Sequence, residues 1–393
     1  MKIKILNDTT DCNGLSEFAL VFNGSVGLEK EGLFGASHLL EHCMCEQVKT
    51  IEPKLIELGL NWNAFTSNNE VCFILNGLEE NVISMMNEFA MLILNYEIPK
   101  EIFERERNVV LTEYNMYASD QEGEMWMNFM RFKYNSYDTG GRKKDLENLK
   151  YEDFMEFKNK YFNVPSYIKY THSKNSKNLI ENNIKEISNF LKDKEANNIS
   201  RWNQKMTYGN YKDVDVENNS TFESQRILFI CKEFSSYDLD NHSSYTFSLI
   251  LKDLLNNGLT SILMKEIREK LGFVYGISVS LIHLEQNKFL FLITTSAKKD
   301  KIDMVIKKFK EVLSNIVSYL DIKKYKSSIM GMKSRIKTSD CTRYSNILDE
   351  SILRHRANIT SGKFDDSYKK FIDFVLSLNL KNADYFIDTD FKK

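Results

Sequence analysis

The chain has 393 residues, 42% hydrophobic and 27% charged, enough for two or three hydrophobic cores of ordinary soluble type. Lys plus Arg (53) nearly balances Asp plus Glu (55), which excludes a net basic field for nucleic acid or a membrane surface. The stretch Met1 to Asp8 has no apolar signal core, no long apolar run follows, and the six cysteines form no regular framework, so a cytoplasmic chain with reduced thiols is expected.

In chain order, Phe18 to Phe22 is β-prone and closes on Asn23-Gly24, a strand and its turn. Gly32 to Val48 reads as a helix, and Gly59 ends a shorter one. Trp62 to Phe65 and Val71 to Leu75 read as strands. Val82, Met85, Met86, Phe89, Leu92 and Ile93 recur at helical spacing between Glu79 and Asn95. Pro99 marks a break before a helix over Lys100 to Tyr117. Residues 120 to 150 look less regular, with Gly140-Gly141 in a loop, and Tyr151 to Tyr161 is again helical. The stretch 173 to 220 is polar, with a short helix over Ile184 to Leu191.

The second half begins with a strand at Arg226 to Cys231 and a helix over Tyr245 to Leu255, stopped by Asn256-Asn257-Gly258. Ser261 to Leu271 is helical and ends at Gly272. Tyr275 to Ile282 and Lys288 to Thr295 form an antiparallel pair. Ile302, Val305, Phe309, Val312, Leu313, Ile316 and Leu320 make the apolar stripe of one long helix. The halves share architecture without a strong residue-level repeat. Together they predict an α+β fold of two domains of mixed or antiparallel sheet packed with helices, over 1–173 and 216–393, joined by a polar connection at 174–215.

The chemistry concentrates in His38-Leu39-Leu40-Glu41-His42. Two imidazoles four residues apart on a helix share a face, close enough to hold one metal ion. Glu41 lies three residues after His38, on that face, within reach of a water on the metal; the order H-x-x-E-H is the inverted zinc-protease motif. A catalytic zinc takes three protein ligands, so one is still needed. Glu106 and Glu113, seven residues apart on one face of the helix after Pro99, are both candidates. Cys43 and Cys45 fall on other faces and read as buried thiols. His172, His242, His283 and His355 have no companion spacing.

H-x-x-E-H followed by E-x(6)-E resembles the pitrilysin and insulinase superfamily of zinc peptidases. Asn63-Ala64-Phe65-Thr66-Ser67 is similar to that family's substrate-binding edge strand, and Arg268-Glu269-Lys270-Leu271-Gly272-Phe273-Val274-Tyr275 to its R-x(6)-Y segment. The resemblance implies His38, His42 and Glu113 as ligands of one Zn²⁺, Glu41 as general base, and Glu106 as the carboxylate supporting the ligands. Asn63, Ala64, Phe65 and Thr66 would pair with an extended peptide, while Arg268 and Tyr275 would bind substrate or stabilise the reacting carbonyl. A two-domain chain looks like the bacterial branch related to the mitochondrial processing peptidase. There, half-shells close around a chamber as a homodimer or as a heterodimer with a related chain. That implies an endopeptidase for short or unfolded peptides. Two other readings stay open: a processing protease for one leader or precursor peptide with a partner chain, and a catalytically silent structural or chaperone-like member.

Overall fold

The computed structural model describes residues 4–8, 14–173, 175–192, 194, 224–235, 243–285, 288–342 and 350–391. The chain divides into two compact units, one of residues 1–117, 135–207 and 339–346, the other of 118–134, 208–338 and 347–393. Most of the expected 174–215 connection lies outside the described residues; its first part includes a helix.

The first unit is built on five strands: β1 (Lys4–Asp8), β2 (Leu15–Asn23), β3 (Asn61–Thr66), β4 (Glu70–Leu78) and β5 (Tyr167–Thr171), in the order β1-β5-β2-β4-β3. β1 and β5 are parallel and the other pairs antiparallel. Among the described residues the last strand, β3, pairs only with β4 and forms an edge of this sheet. β2 carries an unbroken apolar run from Phe18 to Phe22 that is fully buried; Phe18, Leu20 and Phe22 enter the core. The helices are α1 (Ala36–Lys49), α2 (Glu52–Glu57), α3 (Glu79–Leu94) and α4 (Lys100–Ser119). From α1, Leu39, Leu40, Cys43, Met44 and Val48 join that core, and from α3 come Val82, Met85, Met86, Phe89 and Ile93. Phe89 meets Phe18 edge-on at 6.4 Å.

Residues 120 to 150 are more regular than their sequence suggests, because α5 (Gln121–Tyr134) and α6 (Lys143–Asn148) occupy much of them. α5 belongs to the second unit and buries Gly123, Glu124, Met125, Met127, Asn128, Phe129, Met130, Arg131 and Tyr134. A helix buried on most sides shows no clean 3.6-residue stripe. α7 (Tyr151–Tyr161) and α8 (Lys177–Phe190) complete the first unit's helices.

The second sheet is antiparallel, in the order β7-β8-β6-β9, from β6 (Gln225–Ser235), β7 (Val274–Glu285), β8 (Lys288–Lys298) and β9 (Asp384–Ile387). Its core takes Phe247, Ile250 and Leu251 from α9 (Ser243–Asn256), and Val305, Phe309 and Val312 from α10 (Ile302–Ser314). The stripe expected to run unbroken to Leu320 stops at Asn315, and a 3-10 turn over Ile316–Tyr319 carries Ile316 into the same core. α11 (Ile322–Thr342), α12 (Glu350–Thr360) and α13 (Tyr368–Leu378) follow. The fold is α+β. Among the described residues, no helix is long and apolar enough to cross a membrane.

Two glycines set the start of α1. Gly35 precedes the helix at φ +101° and Gly141 lies against it at φ +72°. A Cβ on Gly141 would sit 2.3 Å from the Gly35 nitrogen. Gly141→Ala is therefore expected to cost about 1–3 kcal/mol in chemical denaturation. Gly272→Ala, also at positive φ but facing open space, should cost less.

Candidate metal centre

The first turn of α1 has no side-chain cap in the usual position, since its preceding residue is Gly35. Glu29 takes over: its Oε2 accepts from the Gly35 N–H and its Oε1 from the Ser37 N–H, both at 2.8 Å. Asp145 Oδ2 accepts from the N–H groups of Gly32 at 2.8 Å and Phe34 at 3.3 Å, while its Oδ1 accepts from Arg142 Nε at 2.7 Å. Two carboxylates thus satisfy free backbone donors around the helix start and suit the positive end of its dipole. This fixes the helix one turn before His38.

His38 and His42 project from the same face of α1, ring centroids 4.8 Å apart and nearly perpendicular. α4 brings its carboxylates to them. Glu113 Oε2 lies 3.7 Å from His38 Nε2 and 3.4 Å from His42 Nε2, and Glu106 Oε2 lies 3.4 Å from His42 Nδ1. One ligand atom from each of His38, His42 and Glu113 lies within 4.8 Å of the others, the one such group found among the described residues. Two imidazole nitrogens and a carboxylate oxygen are a donor set that fits Zn²⁺ with a position left for water. Glu106 has a different place. Its side chain is 6% exposed against 47% for Glu113, and Arg105 Nε donates to its Oε1 at 2.9 Å. With Glu106 beside Nδ1, the His42 ring is favoured in the tautomer that leaves the Nε2 lone pair free.

Burial, and then the neighbouring His42, push the His38 imidazole down to about 4, so it is neutral and able to coordinate at physiological pH. Burial raises the Glu41 carboxyl above its ordinary value; the Thr66 hydroxyl and His42 draw it back, and Glu113 adds to the rise. Thr66 Oγ1 donates to Glu41 Oε2 at 2.7 Å, so the end of β3 touches the motif helix. Asn63 on that edge strand is exposed, and Ala64, Phe65 and Thr66 are half-buried. Cys43 is buried, with its thiol pushed well up, and Cys45 is half-buried, its thiol pushed up to about 12; both stay protonated.

Arg268 and Tyr275 lie in the second unit and meet each other. Arg268 sits in a π-helical segment, Met264–Glu269, with Cζ 5.7 Å from the ring centroid of Tyr275, which is 89% exposed at the start of β7. The Glu29 cap has no local sequence signature, because it comes from six residues ahead of Gly35 rather than from a capping box. The contact between Thr66 and Glu41 likewise has no sequence signature, because it joins residues 25 positions apart.

Residues 6–140 match the family model for insulinase, peptidase family M16, and residues 148–327 match that for the peptidase M16 inactive domain. An uncharacterized zinc protease of Rickettsia felis is 25% identical over 298 residues, covering 73% of this chain and 69% of its own. A probable mitochondrial-processing peptidase subunit beta of Schizosaccharomyces pombe is 26% identical over 132 residues, covering 31% of this chain and 29% of its own. The crystal structure of a protease from Helicobacter pylori has the same fold, with a TM-score of 0.79 at 14% identity, over 98% of this chain and 96% of that one.

Removing the Glu29 carboxylate leaves two N–H groups at the helix start without acceptors. Glu29→Ala is expected to destabilise the protein by about 1–3 kcal/mol in chemical denaturation. Hydrogen exchange should locate the largest loss of protection in the first turn of α1.

Proposed function

The chain belongs to the insulinase (M16) family of peptidases, and from that premise we propose that it is a zinc-dependent endopeptidase of short or unfolded peptides. The observation that carries this reading is the meeting of His38, His42 and Glu113 at one point, with Glu41 on the same helix face. His38 and His42 would hold the metal through Nε2, and Glu113 through its carboxylate. A zinc ion held there polarises the scissile carbonyl and acidifies a water molecule. Glu41 Oε1, which has no hydrogen bond among the described residues, takes the proton, and the same carboxyl passes it to the departing amine nitrogen. Glu106 keeps the His42 ring oriented.

An extended peptide pairs its main chain with the free edge of β3, along Asn63, Ala64, Phe65 and Thr66. Main-chain pairing is tolerant of sequence, and most of the backbone of a folded protein is already paired within its own structure. Arg268 and Tyr275 supply hydrogen-bond donors to the substrate carbonyl when the halves of the chamber close. A second copy of the chain is the simplest partner to complete that chamber. The free cysteines Cys43, Cys45, Cys72 and Cys231 suit a reducing cytoplasm. The match to a mitochondrial-processing peptidase subunit supports a narrower second reading, trimming of one precursor peptide with a related partner chain. Co-purification of such a chain, with activity absent from either chain alone, distinguishes it.

Metal analysis and a quenched-peptide assay test the main reading. The purified protein should carry one zinc per chain and lose hydrolysis on chelation, regaining it with added zinc. Glu41→Gln should keep its zinc and lose turnover by about 10²–10⁴-fold. Glu113→Gln should lose zinc to a chelator more readily, by about 10-fold or more. Substantial turnover by Glu41→Gln would remove Glu41 from the role of base.

A further inference from the structure

We infer that Thr66 is the positioning residue for the Glu41 carboxylate and ties the base to the strand on which an extended peptide lies. This rests on the reading of Glu41 as the base. Thr66 ends β3 opposite Val71 of β4, and its hydroxyl donates to Glu41 Oε2 at 2.7 Å. Among the described residues it is the one hydrogen-bond donor to that carboxylate, so one oxygen is tethered and Oε1 stays available. The tether is itself held in place. The next residue closes the hairpin, with the Ser67 N–H donating to the Glu70 carbonyl at 2.8 Å. The Ser67 hydroxyl accepts from the N–H groups of Asn69 and Glu70 at 3.3 and 3.2 Å. Ser67 is therefore occupied by the turn, and among the described residues Thr66 makes the one hydrogen bond from the hairpin to Glu41.

Threonine suits both tasks: its β-branch fits a strand and its hydroxyl supplies the donor. Valine has nearly the same shape and strand preference but no donor, so Thr66→Val separates the hydrogen bond from the strand. A carboxylate released to rotate spends less time in line with the reacting water, which lowers kcat without weakening peptide binding.

The test compares Thr66→Val, Thr66→Ser and Glu41→Gln in the full-length protein. Kcat and KM are measured on a quenched peptide, zinc retention against a chelator, and the unfolding midpoint. Thr66→Val is expected to lower kcat about tenfold with KM within about twofold, its zinc retention and midpoint unchanged. Thr66→Ser should restore kcat. Thr66→Val with wild-type kcat, a change confined to KM, or Thr66→Ser falling as far as Thr66→Val each overturns the inference. Weakened zinc retention in Thr66→Val also overturns it, since the residue would then act on the ligands. Where Thr66→Val yields no folded protein, Thr66→Ala against Thr66→Ser gives the same contrast. Glu41→Gln separates the two levels: turnover surviving in it overturns the base reading itself, whereas an inactive Glu41→Gln beside a fully active Thr66→Val overturns only the role of Thr66.

Discussion

Where α1 runs against α4, four titratable side chains are drawn together, and each would be costly to bury alone. The His42 ring is the bridge. Its Nδ1 faces Glu106 and its Nε2 faces Glu113, so one imidazole engages two carboxylates that α4 presents two turns apart. Glu106, nearly sealed from water, cannot remain an isolated charge. It is answered on one oxygen by His42 and on the other by Arg105, which also pairs with Glu46 of α1. The Arg105 bridge is half-exposed and adds little stability by itself. Its effect is geometric, because it ties α1 to α4 at a second point beside the histidines.

That crossing depends in turn on how α1 begins. A helix whose first residue follows a glycine at positive φ gains no cap from that residue. The cap comes instead from Glu29, and the loop between them is fastened to Asp145 and Arg142. Gly141 allows this second loop to approach the Gly35 backbone more closely than a Cβ would permit. The face that carries His38 and His42 is thus aimed by segments on both sides of α4 in sequence, residues 29–35 and 140–145. Strain and unsatisfied donors at the helix start are resolved one turn away from the imidazoles, which take no part in the cap.

What the sequence made legible follows from periodicity. His38 with His42, and Glu106 with Glu113, stand at spacings that any α-helix converts into a shared face, so both pairs were readable before their helices were placed. The choice between Glu106 and Glu113 as the third ligand was not readable from spacing. It depends on depth, one carboxylate being buried behind His42 and the other open. α5 escaped because burial on most of its surface erased the stripe that marks a helix. The stripe after Ile302 misled in the opposite sense: Ile316 keeps its place in the core although the α-helix has already given way to a 3-10 turn. Glu29 and the Thr66 contact escaped because each joins segments whose approach is set by tertiary packing rather than by local spacing.

The gradient of exposure across the site carries the last step. Glu106 and Glu41 lie deep, His38 and His42 are about one-fifth exposed, and Glu113 is nearly half exposed. A metal held by the proposed ligands would be open on the Glu113 side, while Glu41 sits on the protected side against Thr66. The Glu41 carboxyl is held where burial and the Thr66 hydroxyl oppose each other in setting its affinity for protons. On the proposed reading, a substrate would bring its carbonyl over the histidines without displacing the β3–β4 hairpin that holds Glu41. An extended chain added beside β3 meets that condition, because it extends the sheet by one strand and leaves the turn at Ser67 untouched. A compact structure at the same place would have to push against the hairpin, and so against the Glu41 carboxylate proposed as the base.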